Sequence, residues 1–435
     1  MAAVSLVGVA IIALPGPLRG DALERLRAER LAATHEAIVA LRSQWKRVLQ
    51  EGGYEDVRAN IHVHSSLSHD SRGSLQEIVT AARAVGTRVL MFTEHPSERL
   101  DYFTDGHRGL KDGVLLIAGA ETKGLLIFPR QSLRGLDFGS VQEFADFVRS
   151  RGGLTFLSHL EERMDWQING LTGTEITNTH AEFKKQKALA AALRNPIWLL
   201  NTFEAIRQYP QEAFSSLQEY PADYLRRWDQ LCQRSPHTGV AANDAHQNIG
   251  LAVRLIEGDK LRFEDALGES LFEVNLSLFP PLGAVCRGKK AGDVLVELRL
   301  DPYENSLRHV GTHLKMKEPS EKAVWEALEH GRAFVAFDWL ADATGFDFAA
   351  FRGAHRYEMG SRPTLQPGFR LKARAPLPAH WKLVSNGEIV NESEGREFEH
   401  DVDRPGNYRI EAWLRLAGED RIWILSNPIY IGPQA

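Results

Sequence analysis

Between residues 62 and 246 the chain repeatedly ends a short apolar run on a histidine or a carboxylate. The runs read as strands over 57–64, 88–93, 114–118, 154–157, 174–177 and 239–242, with a shorter one over 125–128. The polar residues that close or follow them are His62 and His64, His95, Glu121, His159, His180, and Asp244 with His246. Helical spacing fills the intervals over 74–85, 141–149, 182–193 and 222–232, and a further apolar run covers 197–200. Ser74, with Glu77 three residues on, gives the first of these helices a capping signal. A repeat of strand, loop and helix, with strands apolar on both faces, predicts an α/β fold: a barrel or a related closed parallel sheet. In such folds the C-terminal strand ends converge on one face. The repeat therefore predicts that these polar residues meet.

The first of these strand ends runs from Asn60 to Asp70. His62 and His64 are two apart, so one extended strand points both imidazoles to the same face. Ser65, Ser66 and Ser68 break the strand, and His69 and Asp70 follow in the loop. Two imidazoles with a carboxylate beyond them suit a divalent metal. A single His-x-His is equally compatible with a strand that merely carries two histidines. Six histidines with Glu121 and Asp244, in one repeated context, predict a polynuclear metal site.

The remaining chain adds flanking units. Residues 21–51 read as an N-terminal helix stopped by Gly52 and Gly53. Strands over 271–279, 294–300 and 333–337, with a helix over 318–330, read as the close of a main domain spanning 57–350. Gly, Pro and Arg enrichment over 351–367 reads as a linker. Residues 368–435 read as a small β-sandwich, with Asn386-Gly387 as a hairpin turn. Residues 1–20 are almost wholly apolar up to Pro15, a signal-like segment too short to span a bilayer comfortably, and export to a periplasmic or extracellular space is expected over a cytoplasmic location. A formal net charge of -5 leaves no basic footprint, so no nucleic-acid partner is expected. Cys232 and Cys286 lie in no metal or disulfide spacing.

The ordered motifs His62-Val63-His64 with Ser68-His69-Asp70, Thr93-Glu94-His95, Gly119-Ala120-Glu121, Ser158-His159 and Asn243-Asp244-Ala245-His246 resemble those of the PHP (polymerase and histidinol phosphatase) superfamily. Two further runs, from Ala336 to Asp342 and from Trp423 to Tyr430, are similar to its CehA/McbA branch of metallohydrolases. The resemblance implies a distorted (β/α)7 barrel and two or three divalent ions, Zn, Mn or Fe. It implies the ligands His62, His64, His95, Glu121, His159, Asp244 and His246, with Glu121 bridging. Asp70 or His69 completes the first motif, Asp70 being favoured, and His180 is the candidate for a further ligand. Glu94 replaces the commoner Asp of the second motif and is expected to support a ligand rather than to bind.

The implied activity is metal-dependent hydrolysis by a metal-bound hydroxide, first of a small phosphoester, alternatively of a carbamate, ester or amide. A binding protein with a vestigial metal site is the alternative from another class. Glu121, His180 and Arg254 are expected to take part in catalysis, and Arg99 and Arg163 join Arg254 as candidates to clamp a phosphate. The rival motifs are incomplete. Residues 283–289 match Gly-x4-Gly-Lys, but Lys290 stands where a nucleotide loop needs Ser or Thr. No Gly-x-Ser-x-Gly or His-Glu-x-x-His occurs. His309, His313, His355, His380 and His400 read as surface or structural, with His313 a candidate for the rim of the site.

Overall fold

A computed structural model describes residues 22–49, 51–186, 196–278 and 286–433. The signal-like segment 1–20 and the end of the helix expected over 182–193 lie outside the described residues.

The fold is mixed α/β, built around one large sheet. Its first strands are β1 (Glu55–Val63), β2 (Val89–Phe92), β3 (Gly109–Lys111), β4 (Val114–Ile117), β5 (Ala120–Thr122), β6 (Leu125–Phe128), β7 (Leu154–Leu157), β8 (Gly173–Asn178) and β9 (Thr238–Ala245). β1 runs parallel to β2 and to β9, and β2 parallel to β4. A bridge from Glu94 to Ala120 passes the order to β5. β5 and β6 form an antiparallel hairpin, β6 is antiparallel to β7, and β7, β8 and β9 are parallel in turn. The hydrogen bonding thus closes on itself. The short run over 125–128 does form a strand, but against the parallel pattern, because four apolar residues carry no information about direction. Val57, Ala59 and Ile61 of β1 pack with Met91, Leu126, Phe156 and Val240 in one buried cluster.

The helices form for the local reasons read from the sequence. Ser74 accepts a hydrogen bond from the Glu77 N–H and caps helix Leu75–Ala84. Ile78, Val79 and Ala82 of that helix are buried against Val63, Leu90 and Phe92. The apolar run over 197–200 belongs to helix Pro196–Gln208. The N-terminal helix is broken into Ala22–Arg25 and Ala28–Gln44 and ends before residue 51. Trp45 turns extended there, and its indole N–H donates to the Asp342 carbonyl.

Beyond β9 the strands read over 271–279 and 294–300 form as Ser270–Asn275 and Val294–Arg299, preceded by two strands that the sequence reading did not include. β10 (Gly250–Ile256), β11 (Lys260–Asp265), β12 (Ser270–Asn275) and β13 (Val294–Arg299) make a separate four-stranded sheet in the order β12-β11-β10-β13. β14 (Gly311–Met316) returns to the main sheet beside the first half of β1, and β15 (Ala333–Ala336) pairs with it. His313 of β14 is not at the rim of the site. It is buried between Asp56 and Asp338, at the end of β1 away from His62.

The C-terminal part is β-rich: β16 (Asp347–Arg352), β17 (His355–Glu358), β18 (Phe369–Ser385), β19 (Glu388–Asp401), β20 (Gly406–Leu416), β21 (Glu419–Ser426) and β22 (Ile429–Ile431). The expected linker over 351–367 is in part the hairpin β16–β17. Its arginine signal is an ion-pair site, since Arg356 grips Asp347 and Glu358. Asn386 (φ 51°) and Gly387 (φ 92°) both adopt the left-handed conformation that a two-residue hairpin turn requires, and they join β18 to β19. β21 pairs with β15, and one core cluster runs from Ile176, Trp228 and Ala241 to Trp381 and Trp423. The C-terminal strands therefore share sheet and core with the part that carries the strand-end histidines. Among the described residues no helix is long and apolar enough to cross a membrane.

Candidate metal centre

β1 does not present its two histidines by simple alternation. Its register against β2 and β9 shifts between Ile61 and Val63, and His62 between them has φ 67°. This local bulge aims the His62 ring to lie 5.1 Å from that of His64. His159 (φ 44°) and Asp244 (φ 50°) also hold left-handed backbones. Each such residue costs on the order of 1–3 kcal/mol and persists only where its surroundings over-determine it. Beneath them, the Asn60 amide donates to Asn243 Oδ1 and ties β1 to β9.

Glu121, at the start of the β5–β6 hairpin, and Asp244, near the end of β9, stand between the rings. Glu121 Oε2 is 3.1 Å from His62 Nε2, and its Oε1 is 3.1 Å from His159 Nε2. Asp244 Oδ1 is 3.2 Å from His62 Nε2 and 3.6 Å from His64 Nε2. On the other side, Asp70 Oδ2 is 3.3 Å from the Nε2 atoms of both His95 and His246.

The Nδ1 atoms of His62, His64, His159 and His246 have partners of their own, which orient those rings. His62 Nδ1 meets Glu175 Oε1 at 2.7 Å, and His64 Nδ1 meets the Ser68 hydroxyl at 3.1 Å. Ser68 in turn donates to Glu94, which also accepts from the Ser65 hydroxyl and backbone N–H. His159 Nδ1 meets Glu161, which accepts from the Tyr224 hydroxyl. His246 Nδ1 faces the Asp244 carbonyl at 3.0 Å.

The electrostatics are those of acceptors crowded around shared positive charge. Burial lowers the His62 pKa, but Asp244, Glu121 and Glu175 outweigh it and hold the imidazole well above its usual range. Burial lowers His159, but its hydrogen bonds to Glu121 and Glu161 outweigh this and raise its pKa to about 10. Burial, with His246 and His62 nearby, drives His64 well below its usual range. Burial would raise Glu121, Asp244 and Asp70, yet the surrounding imidazoles hold all three carboxylates far below theirs.

Four buried atoms at the centre, His64 Nε2, His246 Nε2, Asp70 Oδ1 and Asp244 Oδ1, have no hydrogen-bond partner. Native proteins rarely leave such atoms unsatisfied without a reason, and a role as metal ligand is one. Besides His159 with Glu161 and Glu162, the donors fall into two groups whose ligand atoms all lie within 4.8 Å of one another: His64, Asp70, His95 and His246, and His62, His64, Glu121 and Asp244. His64 belongs to both. Imidazole nitrogens and carboxylate oxygens in this mixture suit divalent zinc, manganese or iron. The residues fit a metal centre.

The other residues named from the sequence are placed as follows. The His180 ring lies 5.4 Å from that of His246, in neither ligand group, with its pKa lowered to about 4 chiefly by burial. His69 is exposed, with its ring 5.1 Å from that of His95. The structure does not bring Arg254 to the cluster. The bend after His246 carries it into the separate sheet, where it is bound to Glu264 and the Gly292 carbonyl. Arg99 is exposed. Arg163 donates to the Ser158 and His159 carbonyls and so braces the His159 turn. Sequence reasoning missed Glu175 and Glu161. A lone acidic residue in the otherwise uncharged strand Gly173–Asn178 was the available signal for Glu175.

Fold and site together define an α/β protein with a histidine–carboxylate cluster of metal-ligand type at its strand ends. No family model matches the chain, and no curated protein matches it. Among solved structures it is similar to a two-domain protein from Bacteroides vulgatus that contains a predicted PHP-like metal-dependent phosphoesterase. The likeness is 13% in identity, with a TM-score of 0.37, and covers 88% of this chain and 98% of that one. At that TM-score it decides neither fold nor chemistry, which rest on the geometry above.

Proposed function

We propose that the protein is a metal-dependent hydrolase of PHP type acting on a small phosphoester. The observation that carries this reading is the pair of ligand groups sharing His64, with orphaned ligand atoms at their centre. His64, Asp70, His95 and His246 would hold one divalent ion, and His62, His64, Glu121 and Asp244 another, with His159 beside Glu121. Ions held there supply a water of lowered pKa and polarise a phosphoryl or acyl oxygen. The chain's own part is to fix that arrangement. Glu175, Ser68 and Glu161 hold three imidazoles by Nδ1 and leave Nε2 free to bind. Burial around His62, His64 and Asp244 keeps bulk water from those ligands. To His180, which stands beside His246 and outside both groups, we assign the exchange of a proton with substrate.

A panel of aryl phosphates, phosphodiesters and aryl carbamates, assayed with and without added Mn2+ or Zn2+, tests the reading. Metal-dependent turnover of phosphoesters supports it. Turnover of carbamates alone moves the assignment to the CehA/McbA type of activity. No turnover of any ester by metal-loaded protein contradicts it.

A further inference from the structure

We infer that Glu175 is the positioning residue that sets the spacing of His62 and His159, and with it the strength of the His62, Glu121 and Asp244 side of the centre. The inference rests on the metal-hydrolase reading above. Glu175 lies on β8 and is fully buried, one carboxylate beneath two histidines from different strands. Its Oε1 is 2.7 Å from His62 Nδ1, and its Oε2 accepts the His159 backbone N–H at 2.8 Å. Asn178 donates to the same Oε2 at 3.2 Å and also to Asp244 Oδ2 at 3.3 Å. A carboxylate only accepts, so the bond to His62 places the ring proton on Nδ1 and leaves Nε2 to bind.

Both clients are strained. His62 and His159 are left-handed non-glycine residues, and Glu175 bonds the ring of one and the backbone of the other. Their rings meet edge to face at 5.6 Å, and their Nε2 atoms address the same two carboxylates, Glu121 and Asp244. The Asp70, His95 and His246 side has no contact with Glu175 among the described residues. Loss of Glu175 therefore acts on one side of the centre, whereas loss of stability acts on both.

Glu175→Gln tests this. The amide has the same shape, but one of its ends donates where the native site needs two acceptors. The full-length protein and the variant are titrated with Zn2+ against a chromophoric chelator. Their metal-free forms are compared by thermal unfolding and by the His159 amide resonance in a 1H–15N spectrum. The expected result is a loss of roughly 10–100-fold in affinity for one ion. The other ion should stay near wild-type affinity, and the His159 amide should shift. Wild-type affinity for every ion in the variant overturns the inference. So does parallel loss of all ions with a lowered unfolding temperature, which would mark Glu175 as merely structural. If the wild-type chain takes up no ion, the hydrolase reading fails, and the amide alone decides: a shift upholds the Glu175 clamp on His159, and an unmoved resonance removes it.

Discussion

The rings of His64 and His246 stack face to face, with centroids 4.0 Å apart and planes 16° from parallel, and neither Nε2 has a hydrogen-bond partner. Two imidazoles at that distance do not both carry charge at low cost. Accordingly His64 is driven down by burial and by His246, whereas Asp70 and Asp244 lift His246 despite its burial. A cation shared among neutral rings and the flanking carboxylates relieves the arrangement. His64 is also the residue common to both ligand groups.

His64→Ala is therefore expected to weaken metal binding at both groups, and His95→Ala at one only. Metal content after dialysis against a weak chelator should fall further in the first variant than in the second. Hydrolytic activity should drop in His64→Ala by more than the roughly 100-fold that bounds the loss of a group merely supporting a metal ligand. Equal retention of metal by the two variants would contradict the shared role.

A second expectation concerns pH and lies far from the metal centre. His313 bridges Asp56 Oδ1 at 2.7 Å and Asp338 Oδ2 at 3.0 Å. Burial lowers its pKa, but the two aspartates overcome this and raise it from 6.5 to about 10. A folded pKa above the unfolded one adds stability that is complete below pH 6.5 and is lost as pH rises through about 10. Urea unfolding at several pH values across that window should show wild-type stability falling toward the alkaline end. His313→Gln should lose about 3 kcal/mol at pH 6.5, toward the lower end for a broken buried pair, because Asp56 loses its nearest cation while Arg58 still stands 3.2 Å from Asp338. It should also lack the alkaline decline. An identical pH profile in both proteins would refute this.

The C-terminal strands are tied to the helix Ala222–Arg234 by a buried fork. Arg409 donates from Nε and from Nη2 to the two oxygens of Asp229, each at 2.8 Å. Asp229→Ala strands part of that guanidinium charge, although Glu411 still receives Nη1 at 2.6 Å. The expected loss is about 3 kcal/mol, toward the lower end for a broken buried pair. In Asp229→Ala/Arg409→Met the loss should be smaller than the sum of the two single losses, because Arg409→Met alone strands both Asp229 and Glu411. Chemical unfolding of the single and double variants measures this, and additive losses would count against a buried pair.

Much of the site was legible because its residues end apolar runs, and short apolar strands are easy to recognise. His62, His95 and His159 could be placed at strand ends from the local pattern alone, whereas Glu121, read as following the strand over 114–118, lies within its own short strand β5. Three things were not legible. The direction of β6 depends on its partners and not on Leu125–Phe128 itself. The left-handed bulge at His62 is imposed by packing between β2 and β9, which no local pattern encodes. Arg254 follows Asp244 and His246 closely in sequence, but the chain turns away after them, so nearness along the chain misled. Glu175 shows the converse: far from His62 in sequence, it touches the ring.

The central claim is that this chain holds divalent ions between its strand-end histidines and carboxylates. Metal analysis by mass spectrometry, on protein purified without chelator and on the same protein after equilibration with Zn2+ and gel filtration, tests it most directly. The account predicts about two bound divalent ions per chain, in keeping with a two-metal hydrolase. Protein that retains no ion after equilibration, with its fold intact by circular dichroism, would contradict it.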